Sequence, residues 1–490
     1  MNRERIFRHI DEHLSEHVAH IQQWVRQKSV SWDNLGVETC AELVADSYRR
    51  LGCQEVQVIP GRFYPGVWAY YDAGAPVTVH SYCMFDTRTV NAKEWKYDPW
   101  GADLTPMGPY PKVLVGRGSM GAKGPYVAWL NALAAIIAVE GKLPVNIMFL
   151  AEGEEILGSP TYAEFVNRYA DRLSSVAASF VPAMSQSTAG SVTLGLGLKG
   201  MVVIELTASG DAWGRGPART IHSSMGALVS SPPFRLAGAL SCLVDENGEG
   251  CEVPELKRVW HHRKPLGGWE KQLLDEIAAR TRGKDWRSVL PLGGPDNVKH
   301  VRGGLAGSDP LVNSLYGPTF NVAGLRSGFL GAETGTIPFI VPGSATATID
   351  IRMVVDLSPQ EIIDSVRRHL DRNGFADIGI DVLAAFDHSQ TPLADPGVAS
   401  VLKTLYDWKA DYEVWPLQSG GGPWTAVPKA FGVPCVRGGV VGGGSGNATD
   451  EYMVIEGDGI VAGLADAEKF MVDMLFNYAA ALASNRAVSA

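Results

Sequence analysis

Apolar residues recur at helical spacing from the start of the chain. Ile6, Ile10, Leu14, Val18, Ile21 and Val25 fall on one stripe, which predicts an amphipathic helix over residues 4–26. His9, His13, His17 and His20 make a neighbouring stripe. No acid or cysteine is tied to it, so it reads as a solvated helix flank rather than a metal site. Val77–Cys83 is a β-branched run that leads to Asp86, and the segment holding Trp95, Asp98, Pro99 and Trp100 reads as a loop. The stretch VGRGSMGAKGP then opens a helix predicted from about Pro125 to Val139, with proline at a permitted first-turn position. Leu143–Ala151 is a further apolar strand that ends in the acids of EGEE. Strand, loop, helix and strand in this order make a βαβ unit, hence a parallel sheet. Ligands of such sheets sit at the C-terminal ends of the strands, where Asp86, the glycine loop and Glu152–Glu155 all fall.

The pattern changes near Lys199. MVVIELTAS and ATATIDIRMVV alternate as half-buried strands, and SPQEIIDSVRRHLDRNG is a helix with a serine N-cap and a glutamate three residues on. These elements predict a small α+β domain inserted at 202–385 into an α/β domain made of 1–201 and 386–490. A final helix is expected over Asp458–Asn477.

Composition narrows the function classes. The 490 residues are 46% hydrophobic and 20% charged, too many for one core and ordinary for a globular chain. Lys and Arg number 43 against 53 Asp and Glu, a net charge of −10 with no basic block, which excludes a nucleic-acid partner. The longest aliphatic run, roughly Leu130–Val139, is about half of the ~20 residues a bilayer span needs. The first residues carry acids and no apolar signal core, so a cytoplasmic chain with no membrane partner is expected. Cys40, Cys53, Cys83, Cys242, Cys251 and Cys435 show no C-x-x-C spacing and read as free thiols.

Several motifs then occur in a fixed order: W-x-x-D-P-W (Trp95–Trp100), G-R-G-x-x-x-x-K-G (Gly116–Gly124), L-P-V-N-I-x-F-L-x-E-G-x-E (Leu143–Glu154) and G-S (Gly158–Ser159). G-L-K-G (Gly197–Gly200), I-H-S-S (Ile221–Ser224), I-D-I-R (Ile349–Arg352) and D-E-Y (Asp450–Tyr452) follow. Together they closely resemble the dinuclear-zinc peptidase family of aminoacylase, carnosine dipeptidase, acetylornithine deacetylase and succinyl-diaminopimelate desuccinylase. The resemblance implies a zinc-peptidase-like α/β catalytic domain with a mixed, mainly parallel sheet. It also implies a smaller α+β lid domain through which two copies dimerise.

Such enzymes hold two zinc ions about 3.5–4 Å apart, bridged by a carboxylate and a water. The family's five ligand positions can each be placed on this sequence. The first, a histidine, falls on Met84; the bridging aspartate falls on Gly121; the glutamate after the general base falls on Ile156. The fourth falls near Ala183 or Met184, in a stretch with no Asp, Glu, His or Cys between Asp171 and Glu205, and the fifth falls on Asn447. Methionine and isoleucine are poor partners for zinc, and glycine removes the bridge, so no metal and no other cofactor is expected. A displaced single metal on His80, Asp86, Glu154 or His222 is the alternative.

Other positions keep the family's residues. Asp86 stands where the family orients a metal-bound histidine, and Glu155 keeps the general-base position. His222 matches a histidine that reaches in trans to the developing oxyanion. Arg352 matches an arginine that grips the substrate carboxylate, and Gly420, Gly421 and Gly422 match a turn near the substrate. With Asn447 and Lys123, these are the candidate substrate contacts, Lys123 having a structural reading as well. Glycine amides before the helix at 125, with its positive end, could hold a substrate carboxylate. The expected function is a metal-independent amidohydrolase of a C–N bond in a small carboxylated substrate, N-acyl-amino-acid-like or dipeptide-like. Glu155 would activate water and His222 stabilise the oxyanion. Two alternatives use the same pocket: a cofactor-free racemase, epimerase or lyase, and a non-catalytic protein that binds a small molecule.

Overall fold

The computed structural model describes residues 2–182, 185–246, 250–260, 265–301, 309–328 and 339–489. The chain forms two compact units, one of residues 1–197, 389–418 and 423–490, the other of residues 198–388 and 419–422.

In the first unit the leading apolar stripe folds as two helices, α1 (Arg3–Glu12) and α2 (Leu14–Arg26), rather than one. The break is at His13, whose backbone N–H and ring Nδ1 both lie on the His9 carbonyl. The histidine stripe is not a solvated flank. His17 is buried with Nδ1 2.6 Å from the enclosed Glu468 carboxylate, and Asn131 links that carboxylate to His20. Helix α3 (Val37–Leu51) follows, then strands β1 (Glu55–Ile59), β2 (Gly66–Tyr71) and β3 (Thr78–Met84).

The stretch after β3, expected to be loop, contains a hairpin of β4 (Asp103–Met107) and β5 (Tyr110–Val115). Pro106 inside β4 hides it, because proline cannot donate to a ladder and is confined to edge strands. Helix α4 (Lys123–Glu140) is apolar on nearly every side and packs against α1, α2 and the last helix of the chain, as a central helix must. Strand β6 (Asn146–Glu152) returns beside β3 in parallel register, Thr78 against Asn146 and Met84 against Glu152. With β7 (Ser179–Val181) the six-stranded sheet has the order β1-β2-β6-β3-β7 followed by Cys435–Arg437. Its three pairings from β6 through to Cys435–Arg437 are parallel, and those of β1 and β2 are antiparallel. A second sheet carries β4 and β5 next to Tyr452–Glu456.

The last helix runs Leu464–Ser489, starting six residues later than the pattern suggested. The Asp458 carboxylate accepts from the N–H groups of Ile460 and Val461 at 2.9 and 2.8 Å, which holds that stretch as a turn.

The second unit is an antiparallel four-stranded sheet in the order Thr319–Ser327, Ser344–Met353, Gly200–Ser209, Gly379–Phe386. Helices Pro232–Leu243 and Pro359–Arg372 cover it, burying Val202, Ile204, Leu206, Ile349 and Ile351 against Leu236, Val366 and Leu370. The capping box read from Ser358 and Glu361 is formed. All six cysteines are free, and no helix among the described residues is long and apolar enough to cross a membrane.

Candidate active site

Because β3 and β6 are parallel neighbours, the segments that leave their C-terminal ends meet. Phe85 donates its N–H to the Glu152 carbonyl at 3.0 Å, and the buried Asp86 carboxylate straps the turn that follows β6. Its Oδ1 accepts from Glu155 N at 3.1 Å, while Oδ2 accepts from Ile156 N at 2.9 Å and from Ser31 Oγ at 2.7 Å. Burial raises the Asp86 carboxyl to about 6, opposed by those hydrogen bonds. The structure therefore gives Asp86 to the positioning of the 155–157 turn.

Glu155 is half-buried, its backbone fixed by Asp86, and its carboxylate accepts no hydrogen bond among the described residues. Burial is the main reason its carboxyl rises to about 7; the Asp86 charge adds to the rise and Arg88 opposes it. The preceding acids are committed elsewhere. Glu154 accepts from Phe63 N, Tyr64 N, Thr161 N and Thr161 Oγ1, at 2.6–3.2 Å. Glu152 is fully enclosed, accepts from Tyr82 Oη at 2.8 Å, and is held well above the usual carboxylate range by burial.

The glycine loop is ordered by Glu451. Its Oε1 accepts from Met120 N at 2.9 Å and Gly121 N at 2.7 Å, and its Oε2 pairs with the buried Arg117 at 2.9 Å. This draws position 447 onto position 121: a Cβ on Gly121 would lie 3.4 Å from Asn447 Nδ2. Asn447 Oδ1 is buried with no partner among the described residues. Lys123 has the surroundings of its structural reading. It is fully buried, and its ammonium donates to the carbonyls of Trp24 (3.0 Å) and Gln27 (2.6 Å), which ties α4 to the end of α2.

A cavity of about 290 Å³ opens here, with Tyr82, Met84, Met120, Gly121, Trp424 and Arg437 among its lining. Tyr82 feels the charges of Glu152 and Glu155, which sets Glu155 within electrostatic reach of this wall. Arg437, Trp424 and Tyr82 were missed in the sequence. The available signal for Arg437 was a charged residue ending a short β-branched strand just before Gly438–Gly439, the place where sheet ligands gather.

In the second unit, His222 is exposed on the short strand Ile221–His222. Its Nδ1 accepts from Ser224 N at 3.2 Å, so in the neutral ring the proton sits on Nε2, leaving a donor on the outer side. Arg352 pairs with Asp350 two residues earlier on its own strand, Nε to Oδ1 at 3.0 Å. Gly421 closes on it, since a Cβ there would lie 3.6 Å from Arg352 Nη1. Gly420 donates no side chain but its carbonyl accepts from Lys199 N, and Gly422 completes the turn.

Known proteins share this architecture. Residues 197–377 match the model of a peptidase dimerisation domain. Beta-Ala-His dipeptidase of Mus musculus is 24% identical over 411 residues, covering 78% of this chain and 77% of that protein. Cys-Gly metallodipeptidase DUG1 of Candida albicans is 24% identical over 398 residues, covering 74% of each. The M20 family metallo-carboxypeptidase Sso-CP2 of Sulfolobus solfataricus superposes with a TM-score of 0.79 at 22% identity, over 95% of this chain and 99% of that one. Human carnosine dipeptidase 1 superposes at 0.72 with 21% identity, over 98% of this chain and 100% of that one.

The chain has the fold of the M20 peptidases, and residues 197–377 match their dimerisation domain. The zinc pair implied by the resemblance can then be tested on the donors present. Met84 offers a thioether, Asn447 an amide, and Gly121 and Ile156 nothing. The fourth position, near Ala183 or Met184, lies outside the described residues. This set does not fit two zinc ions bridged by a carboxylate. Two of the alternative ligands are already engaged. His80 is enclosed with Nδ1 2.9 Å from Ser179 Oγ, and Glu154 accepts from four donors. No group of three or more His, Cys, Asp or Glu suited to a metal occurs among the described residues.

Proposed function

We propose that this chain is a hydrolase of an amide or related C–N bond in a small carboxylated substrate, N-acyl-amino-acid-like or dipeptide-like, working without the zinc pair. The dipeptidases among its relatives support the bond and substrate class. The observation that carries the chemistry is Glu155, a half-buried carboxylate with a clamped backbone and no hydrogen-bond partner among the described residues. A base with a pKa of about 7 is matched to taking a proton from water at neutral pH. His222 Nε2–H supplies the oxyanion donor, and Arg352 with Gly420–Gly422 receives the substrate carboxylate. A base and one imidazole, each worth about 10²–10⁴-fold, replace part of what a Lewis acid would give. The peptidase dimerisation domain supports a homodimer, and six free thiols suit a cytoplasmic setting.

The test is elemental analysis of the purified protein beside turnover of N-acyl amino acids and dipeptides with and without chelator. Cleavage that survives chelation and is abolished by Glu155→Gln is the expected result. About two zinc ions per chain, or activity lost with chelator and restored by zinc, would overturn the metal-independent reading. Deuterium incorporated at the α-carbon from heavy water without cleavage would overturn hydrolysis.

A further inference from the structure

The histidine stripe takes no part in the site around Glu155. His9, His13, His17 and His20 instead line a cavity of about 660 Å³ together with residues of α3 and α4. Two of them are held in the same tautomer by their partners. His13 Nδ1 lies 2.8 Å from the His9 carbonyl, and His17 Nδ1 lies 2.6 Å from Glu468 Oε2. A carbonyl and a carboxylate only accept, so each Nδ1 carries the proton and each neutral ring keeps its lone pair on Nε2. The His17 N–H bonds to the His13 carbonyl at 3.0 Å, which sets the two side chains one helical turn apart on one face. Glu468 is fully enclosed, and its other oxygen accepts from Asn131 Nδ2 at 2.9 Å. Its ion-pair partner among the described residues is His17. The acid that the sequence lacks beside the stripe is thus supplied by the last helix, 451 residues away.

An imidazole that binds a metal through one ring nitrogen almost always donates its other N–H to a carboxylate or a backbone carbonyl, which fixes the tautomer and raises the basicity of the ligating nitrogen. His17 has the first of these supports and His13 the second. We propose that Nε2 of His13 and Nε2 of His17 chelate one divalent cation of the zinc, nickel and copper class, with water filling the remaining positions. Imidazole nitrogen suits that class, whereas magnesium and calcium take oxygen ligands. The site is a pair, in keeping with the absence of a cluster of three ligands among the described residues. His20 is committed elsewhere, with Nδ1 2.8 Å from Asn131 Oδ1 and Nε2 3.4 Å from Ser47 Oγ. Of the charged groups on the cavity, the exposed Glu16 favours a cation, and Arg50, which donates to Ser47 Oγ at 3.2 Å, opposes it. The wall from α4 is Leu130, Asn131 and alanines, with no charge. The His9 ring, its centroid 4.0 Å from that of His13, is less basic than usual through burial and the neighbouring imidazoles, so it adds little positive charge at neutral pH. A cation on the pair offsets the enclosed Glu468 charge through the His17 ring and braces the contact between α2 and the last helix. The pair serves structure rather than turnover, so it stands whether or not the chain cleaves a C–N bond.

The experiment strips the untagged full chain of metal with chelator and titrates it with nickel and with magnesium by calorimetry. Nickel should bind at one ion per chain and at least about a hundredfold more tightly than magnesium. Copper(II) added at one equivalent should show, by electron paramagnetic resonance, the splitting of two nitrogen ligands, and saturating nickel should raise Tm, since it binds the folded chain. His13→Gln keeps a donor for the His9 carbonyl and removes the ligating nitrogen. It should weaken nickel binding at least about tenfold and abolish the nickel-dependent rise in Tm, while the metal-free Tm stays close to that of the wild type. His17→Gln should lose the site as well; if that variant fails to fold because Glu468 has lost its partner, His13→Gln decides. Nickel held no more tightly than magnesium, an unchanged nickel Kd in His13→Gln, or a copper spectrum without nitrogen splitting overturns the proposal.

Discussion

Replacing Glu155 by glutamine removes a charge that the fold resists, so the variant should be more stable than the wild type, and increasingly so as pH rises. The carboxyl has an ordinary value of 4.5 and rises to about 7 in the fold, chiefly through burial and secondarily through the Asp86 charge. Between those two values the folded chain holds a proton that the unfolded chain has released. Unfolding free energy therefore falls as pH climbs through the window and levels off above about 7. Fully ionised, the group costs up to about 3 kcal/mol, at roughly 1.4 kcal/mol per tenfold change in proton affinity. Glutamine keeps the shape and does not titrate. Urea unfolding followed by tryptophan fluorescence at pH 4.5, 6, 7 and 8.5 measures the difference. Near pH 4.5 it should be small, and by pH 8.5 it should approach about 3 kcal/mol in favour of Glu155→Gln. A difference that does not change with pH, or a variant less stable at high pH, would refute the placement of Glu155 in a poorly solvated site.

Other outcomes test neighbouring parts of the argument. If Glu155 is the base, it must be ionised to act, so kcat/KM should rise with pH to a plateau above about 7, and a profile flat from pH 5 to 8 would remove it from that role. Gly124→Ala should cost more than about 3 kcal/mol, because its Cβ would fall 1.9 Å from the Ser119 carbonyl oxygen. Three residues earlier, Gly121→Ala meets only Asn447 at 3.4 Å and should change stability by no more than about 0.5 kcal/mol; thermal unfolding of both variants checks the contrast. Glu154→Gln should destabilise by about 1–3 kcal/mol, since an amide nitrogen then faces N–H and O–H donors from Phe63, Tyr64 and Thr161.

Much of this fold is legible in the sequence because its signals are local. The βαβ unit of β3, α4 and β6 follows from two apolar runs and a glycine-opened helix, and the capping box at Ser358 from two residues three apart. The β4–β5 hairpin was hidden by Pro106, and the start of the last helix by the Asp458 turn, where a side chain competes with the helix for backbone amides. In the site, Glu155 and Asp86 could be named from their motifs. What Asp86 does could not, because its partners Ser31 and Ile156 are distant in sequence.

The sequence by itself determined which atoms are available. Met84, Gly121, Ile156 and Asn447 stand at four positions that the resemblance assigns to zinc ligands, and their side chains are poor partners for a bridged zinc pair, since ligand chemistry belongs to the residue type. Only the tertiary structure decided what the remaining groups are for. It spends Glu154 on four local donors, Lys123 on two carbonyls and Glu451 on the glycine loop, and leaves Glu155 clamped but unbonded among the described residues. It also brings Arg437, more than three hundred residues from Met84 in the chain, into the same cavity. Burial and hydrogen-bond partners set a carboxylate's pKa and a cation's use, and both are properties of the folded neighbourhood rather than of the residue.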